Sequence, residues 1–100
     1  MVKVKWSKES LEDLKNIAKF IALDSYYYAK VFVGKIVSTV EHLEYFPHVG
    51  RKVPELDDQN VREIIYKDYR IIYQVESDFI EILTVIHGSR LLKKNNFADI

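Results

Sequence analysis

The stretch Val61-Arg62-Glu63-Ile64-Ile65-Tyr66-Lys67-Asp68-Tyr69-Arg70-Ile71-Ile72-Tyr73-Gln74-Val75-Glu76-Ser77-Asp78-Phe79-Ile80-Glu81-Ile82-Leu83-Thr84-Val85-Ile86-His87 decides the fold. Its β-branched and aromatic residues predict three strands, Val61–Tyr66, Tyr69–Glu76 and Phe79–His87. Lys67-Asp68 and Ser77-Asp78 are short enough for two-residue hairpin turns, although neither has the preferred Asn-Gly or Asp-Gly chemistry. Two-residue loops pair Tyr66 with Tyr69 and Glu76 with Phe79, and strict alternation then assigns every side chain to a face. One face carries Ile64, Tyr66, Ile71, Tyr73, Ile80 and Ile86, a core surface. The other carries Glu63, Ile65, Arg70, Ile72, Val85 and His87. That mixture of apolar and ionisable groups is unusual enough to suggest a binding surface.

Working outward, Val2, Val4 and Trp6 alternate with Lys3 and Lys5, which predicts a short strand with one buried face. Ser7 has the chemistry of a helix N-cap, Glu9 lies in the first turn, and Trp6 with Leu11 has the spacing of a hydrophobic staple. Leu11, Leu14, Ile17, Ala18 and Ile21 recur at helical spacing. Asp24-Ser25 breaks that helix and caps the next, whose apolar stripe is Ala29, Phe32, Ile36, Val40 and Leu43. So short a connection predicts an antiparallel helix hairpin. Gly34, inside the second helix, is expected to allow close approach of the first. Residues 47–60 lose all periodicity and read as a loop, Gly88 as a turn of positive φ, and 93–100 as a loosely ordered tail. The prediction is a single α+β domain over residues 1–100, with the helix hairpin packed on one face of a mostly antiparallel four-stranded sheet.

Composition excludes several function classes. The chain has no cysteine, so disulfides, thiolate metal sites and cysteine nucleophiles are absent together. No apolar run approaches the roughly 18 residues that cross a bilayer, and the N-terminus lacks a signal-peptide pattern. A cytoplasmic protein without membrane attachment is expected. Fifteen basic and fifteen acidic residues cancel, so no global field draws the chain onto nucleic acid and any such contact needs a local patch. Tyr26-Tyr27-Tyr28 reads either as an aromatic partner patch or as helix packing. His42 and His48 lack partners at metal-binding spacing, so neither a metal nor a cofactor is expected.

The candidate chemistry lies on the mixed face. On the alternating register Arg70 lies opposite Ile65 on one neighbour and Val85 on the other, with His87 two residues along. A cation and an imidazole on an open sheet can hold a phosphate and donate a proton to a leaving oxygen. Alternatively Arg70 simply pairs with Glu63 or Glu81, and His87 caps a strand end.

Six pieces of sequence, in order, resemble the RelE/ParE superfamily of prokaryotic toxins. They are Asp24-Ser25, Phe46-Pro47-His48-Val49-Gly50-Arg51, Pro54-Glu55-Leu56, Val61-Arg62-Glu63, Tyr69-Arg70-Ile71-Ile72-Tyr73 and Val85-Ile86-His87-Gly88-Ser89-Arg90. The resemblance implies the toxin of a type II toxin–antitoxin pair, growth-inhibiting until a cognate antitoxin binds it, as a homodimer or a toxin–antitoxin hetero-oligomer. It implies one of two mechanisms. Ribosome-dependent mRNA endonucleases (mRNA interferases) direct a ribose 2′-hydroxyl at the adjacent phosphate. By motif position that chemistry falls on Glu55 as base, Arg70 as phosphate cation and His87 as acid, with Arg51, Lys52 and Arg90 as further target contacts. The ParE-like members instead poison DNA gyrase by protein contact and have no catalytic residues, and the Phe46–Arg51 and His87–Arg90 pieces resemble ParE-like and plasmid-stabilisation sequences at least as well. The tyrosine usual near the C-terminal end of the nucleases has no counterpart after Arg90, where Phe97 is the only aromatic. An inactive relic that only binds antitoxin is a third possibility.

Overall fold

Strand β1 (Lys3–Trp6) opens the chain in the computed structural model, which describes residues 1–90. The tail 93–100 therefore lies outside the described residues. Ser7 caps α1 (Lys8–Ala22), its hydroxyl oxygen accepting the Ser10 backbone N–H at 3.0 Å. The same hydroxyl donates to the Leu83 carbonyl at 3.1 Å, so one side chain both starts the helix and ties it to the sheet. Ser25 caps α2 (Tyr26–His42) through the Tyr28 N–H at 3.1 Å. Helix α1 turns Leu14, Ile17 and Ile21 toward the core. Leu11 is 52% exposed, so the staple with Trp6 expected from spacing does not bury it.

Strands β2 (Arg51–Lys52), β3 (Val61–Tyr66), β4 (Tyr69–Val75) and β5 (Phe79–His87) complete the fold. Among the described residues the sheet has five strands in the order β1-β5-β4-β3-β2. Only the β1–β5 pair is parallel. The fifth strand, β2, corrects the four-stranded expectation. It lies in the segment read as loop, because two residues are too few to show a period. Both hairpin turns have two-residue loops: Tyr66 pairs with Tyr69, and the Glu76 N–H donates to the Phe79 carbonyl. Lys67 adopts φ 52°, the left-handed conformation such a turn requires.

The sheet has a core on each side. Phe32, Ile36, Val40 and Leu43 of the helix side pack against Ile71, Tyr73, Ile80, Ile82 and Val85. On the other side Val53, Val61, Ile72, Leu83 and Ile86 form a smaller cluster, with Leu56 packed against it. The loop from residue 53 onward thus covers part of the face expected to be open.

Two glycine expectations are corrected. A Cβ on Gly34 would meet no atom within 4 Å, so this glycine borders open space instead of a close helix contact. Gly88 does not have positive φ. Its N–H donates to the Asp68 carbonyl at 2.6 Å, and a Cβ there would lie 3.2 Å from that oxygen. Gly50 is the position where a side chain is excluded, since a Cβ would lie 2.6 Å from the Tyr73 hydroxyl and 2.7 Å from the Glu63 carbonyl oxygen.

Candidate functional site

One residue decides the site. Along β4 and β5 the register runs Val75–Ile80, Gln74–Glu81 and Tyr73–Ile82, then skips to Ile72–Thr84, Ile71–Val85, Arg70–Ile86 and Tyr69–His87. Leu83 is the extra residue of a β-bulge, and beyond it the alternation of β5 is reversed. Val85 therefore faces the helices and Ile86 the opposite side, the reverse of the assignment made from strict alternation. His87 follows Val85. Its ring stands edge-on to Tyr69 with centroids 5.6 Å apart, and Tyr69 packs in turn against Phe32 of α2 at 5.2 Å. His87 Nδ1 lies 2.7 Å from the Ser89 hydroxyl.

Arg70 occupies the other face, where an ion-pair chain is assembled. Its Nε donates to Glu63 Oε1 at 2.6 Å, and its two terminal nitrogens clamp Glu55 at 2.7 and 2.8 Å. Nη1 also donates to the Arg90 carbonyl at 3.0 Å. Four of the five guanidinium N–H groups are thereby committed. Arg51 Nε reaches the second oxygen of Glu63 at 2.6 Å, so Glu63 bridges the two arginines. The Arg70 side chain is only 5% exposed and that of Glu63 is fully buried, whereas Arg51 is open to solvent. The hydrogen bonds to Glu55 outweigh burial and, with Glu63, hold Arg70 above the ordinary guanidinium value. Arg70 is permanently charged here.

The elements explain this convergence. Antiparallel pairing sets Arg51 opposite Glu63 and Arg70 opposite Ile65, so the three charged residues share one side of β2, β3 and β4. The Pro54-Glu55 segment closes over them. An open depression of about 490 Å³ results, bordered by Arg51, Pro54, Glu55, Ile65, Arg70 and Gly88. Ile65 is 48% exposed at its edge.

Of the candidates named from sequence, the structure brings together Arg51, Glu55 and Arg70, with the backbone of Arg90 beside them. Lys52 is exposed beside Arg51, and its side chain alternates away from the Glu63 side. His87 is not part of the group. The bulge places it on the helix side, which corrects the expectation that it shares a face with Arg70. Glu63 was not singled out as a site residue, although its place on the mixed face made it an available partner for Arg70. Among the described residues no helix is long and apolar enough to cross a membrane.

Chemically the group is balanced: two guanidiniums meet two carboxylates, and four of the five Arg70 N–H groups are taken by its own loop and strand neighbours. A phosphate at Arg70 would have to displace the bidentate Glu55.

Comparisons with known proteins agree with this architecture. A chain of the structure described as the chromosomal ParDE TA system from P. aeruginosa superposes with TM-score 0.72 at 23% identity, over 87% of this chain and 96% of that one. The solution structure of the conserved hypothetical protein HP0894 from Helicobacter pylori matches with TM-score 0.59 at 18% identity, over 92% of this chain and all of that one. No curated protein sequence matches. The sequence model of the family described as "ParE toxin of type II toxin-antitoxin system, parDE" matches residues 4–92. With that match spanning nearly its whole length, the chain belongs to the ParE toxin family of type II toxin–antitoxin systems.

Proposed function

We propose that this toxin acts in the cytoplasm as a non-catalytic inhibitor of DNA gyrase, by protein contact, and that its cognate antitoxin neutralises it by binding. One observation carries the choice over mRNA cleavage: His87 packs on Tyr69 on the helix side of the sheet while Arg70 points to the other. General acid catalysis needs the acid within hydrogen-bond reach of the leaving oxygen that the cation helps to stabilise. Groups on opposite faces of a sheet do not share one phosphate. The commitment of Arg70 to Glu55 and Glu63 argues in the same direction, as does the neutral net charge. In this reading Arg51, Ile65 and the Pro54-Glu55 loop form a contact surface, and Arg70 holds it in shape.

The test is induction of the chain alone in cells, with plasmid supercoiling and trapped gyrase–DNA cleavage complexes followed beside primer extension on abundant mRNAs. Loss of supercoiling with intact mRNA is expected. Cuts within translated codons that disappear in Arg70→Ala or His87→Ala would overturn the reading and restore the nuclease. Unimpaired growth with neither effect would leave a relic that binds antitoxin only.

A further inference from the structure

We propose that the turn between α2 and β2 is a preformed anchor, which the toxin inserts into an apolar pocket bordered by carboxylates on its protein target. The proposal rests on the reading of this chain as a gyrase inhibitor acting by contact, and names a segment that makes the contact.

Tyr45, Phe46 and Val49 are 66%, 61% and 65% exposed, and neither core cluster includes them. Their exposure does not come from a slack backbone. Just before the turn Leu43 is fully buried, and the Tyr45 and Phe46 N–H groups both donate to the His42 carbonyl at 3.1 Å. The Glu44 carbonyl accepts the Val2 N–H at 2.9 Å, which ties the end of α2 to the start of the chain. Just after the turn the Gly50 N–H is held by the Tyr73 hydroxyl, and the Gly50 carbonyl accepts Arg62 Nη1 at 3.2 Å. Between these fastenings the Val49 N–H donates to the Phe46 carbonyl at 3.2 Å, closing a β-turn with Pro47 where its fixed φ fits best. Such a turn sets its first and last residues within about 7 Å, so Phe46 and Val49 are neighbours. A turn already held in one shape loses little conformational freedom when it docks.

Charge fixes the chemistry of the occupant. Arg51 and Lys52, which follow the turn directly, are both exposed, and Lys52 lies opposite Arg62. The β2 edge thus sets three cations against one carboxylate, the buried Glu63. An apolar turn beside an excess of positive charge suits a target surface with carboxylates around its apolar pocket. A second copy of this chain is disfavoured by the same feature, since a two-fold interface would set these cations against themselves. Three side chains also fall far short of the roughly 800 Å² per partner that a stable interface takes. The turn is therefore one anchor within a larger contact. Arg51 stands two residues past it and borders the depression shared with Ile65 and the Pro54-Glu55 loop, which makes the two surfaces continuous.

The test is inhibition of supercoiling by purified DNA gyrase, with the full chain added at increasing concentration. Wild type is compared with the triple variant Tyr45→Ser/Phe46→Ser/Val49→Ser, with Lys52→Glu, and with Leu23→Ser as a control. Leu23 is 82% exposed and lies at the other end of the 17-residue α2, about 25 Å away. Every replaced side chain is exposed, so the variants keep the fold, which circular dichroism verifies; Lys52→Glu carries the test alone should the triple variant not fold. The inhibitory concentration rises about tenfold or more in the triple variant and about threefold in Lys52→Glu, and stays unchanged in Leu23→Ser. Unchanged inhibition by the folded triple variant or by Lys52→Glu overturns the anchor while leaving the gyrase reading intact, and so does an equal loss in Leu23→Ser. A wild-type chain that does not inhibit gyrase overturns that reading, and the anchor with it. Weakened antitoxin binding by the triple variant in calorimetric titration, with gyrase inhibition unchanged, would assign the turn to the antitoxin instead.

Discussion

Tyr69 and His87 are direct partners on β4 and β5, their rings edge-to-face at 5.6 Å on the helix side of the sheet, while Arg70, one residue on, points to the other side. The thickness of the sheet separates imidazole from guanidinium. His87→Ala is therefore expected to leave growth inhibition intact and to lower stability only by an aromatic edge contact, about 0.5–1.5 kcal/mol. Colony counts after induction, with urea unfolding of the purified variant, check both halves. Abolished toxicity in a well-folded His87→Ala protein would show that the imidazole has a direct role.

Arg70 is expected to be a stability residue. Replacing it by methionine keeps most of the packing but leaves Glu63 buried with only the solvent-exposed Arg51 as a cation, and releases Glu55 from its clamp. Losing one partner of a buried ion pair costs about 3–5 kcal/mol. Arg70→Lys recovers little, because an ammonium cannot reproduce the Nε bond to Glu63 together with the bidentate bond to Glu55. Urea denaturation reads the difference. A loss below about 1 kcal/mol for both variants would mean the chain of charges is not structural.

Most of the fold is legible in the sequence because it follows from local chemistry. Ser7 and Ser25 cap their helices, the two-residue turns set Tyr66 against Tyr69, and the apolar stripe of α2 from Ala29 to Val40 is buried. The site was legible up to Leu83 and no further. A β-bulge leaves no period of its own: Leu83-Thr84-Val85-Ile86 are all apolar or β-branched, and either phase of alternation fits them. The carbonyl of Leu83 is held by Ser7, and the Thr84 hydroxyl donates to Asp13 of α1, with Asp13 also accepting the Val85 N–H at 3.2 Å. The partners that stabilise the bulge are more than seventy residues away in sequence, beyond the reach of any local pattern. Glu55 was legible as a motif residue but not as the clamp on Arg70, since a loop without periodicity gives no direction to its side chains.

Ser7 and Ser25 offer a comparison of two caps with different surroundings. Ser25→Ala removes an exposed cap and is expected to cost about 1 kcal/mol. Ser7→Ala removes a cap and also the bond to the carbonyl at the bulge, adding about another 1 kcal/mol. The difference between the two midpoints in urea is the measurement. Equal losses would show that the tie between α1 and the bulge contributes nothing.

Tyr73 gives the chain an alkaline limit. It is fully buried, and its hydroxyl oxygen accepts the Gly50 N–H at 2.9 Å, which fastens the start of β2 to the sheet. Burial raises its phenol above the ordinary value, with the Gly50 N–H and the charge of Arg62 acting against that rise. The folded chain thus holds this proton more tightly than the unfolded chain. Below about pH 10 both states keep the proton and the contribution is fully present; above it the unfolded state ionises first, and stability falls as pH rises toward the folded value. Tyr73→Phe removes this dependence but leaves the Gly50 N–H without its acceptor, a cost of about 1–3 kcal/mol at neutral pH. Urea unfolding of both proteins from pH 8 to 11 should show the variant less stable at pH 8 and the gap narrowing above pH 10. Parallel profiles would mean that Tyr73 does not set the alkaline limit, and an equally stable variant at pH 8 that the Gly50 bond does not hold β2 in place.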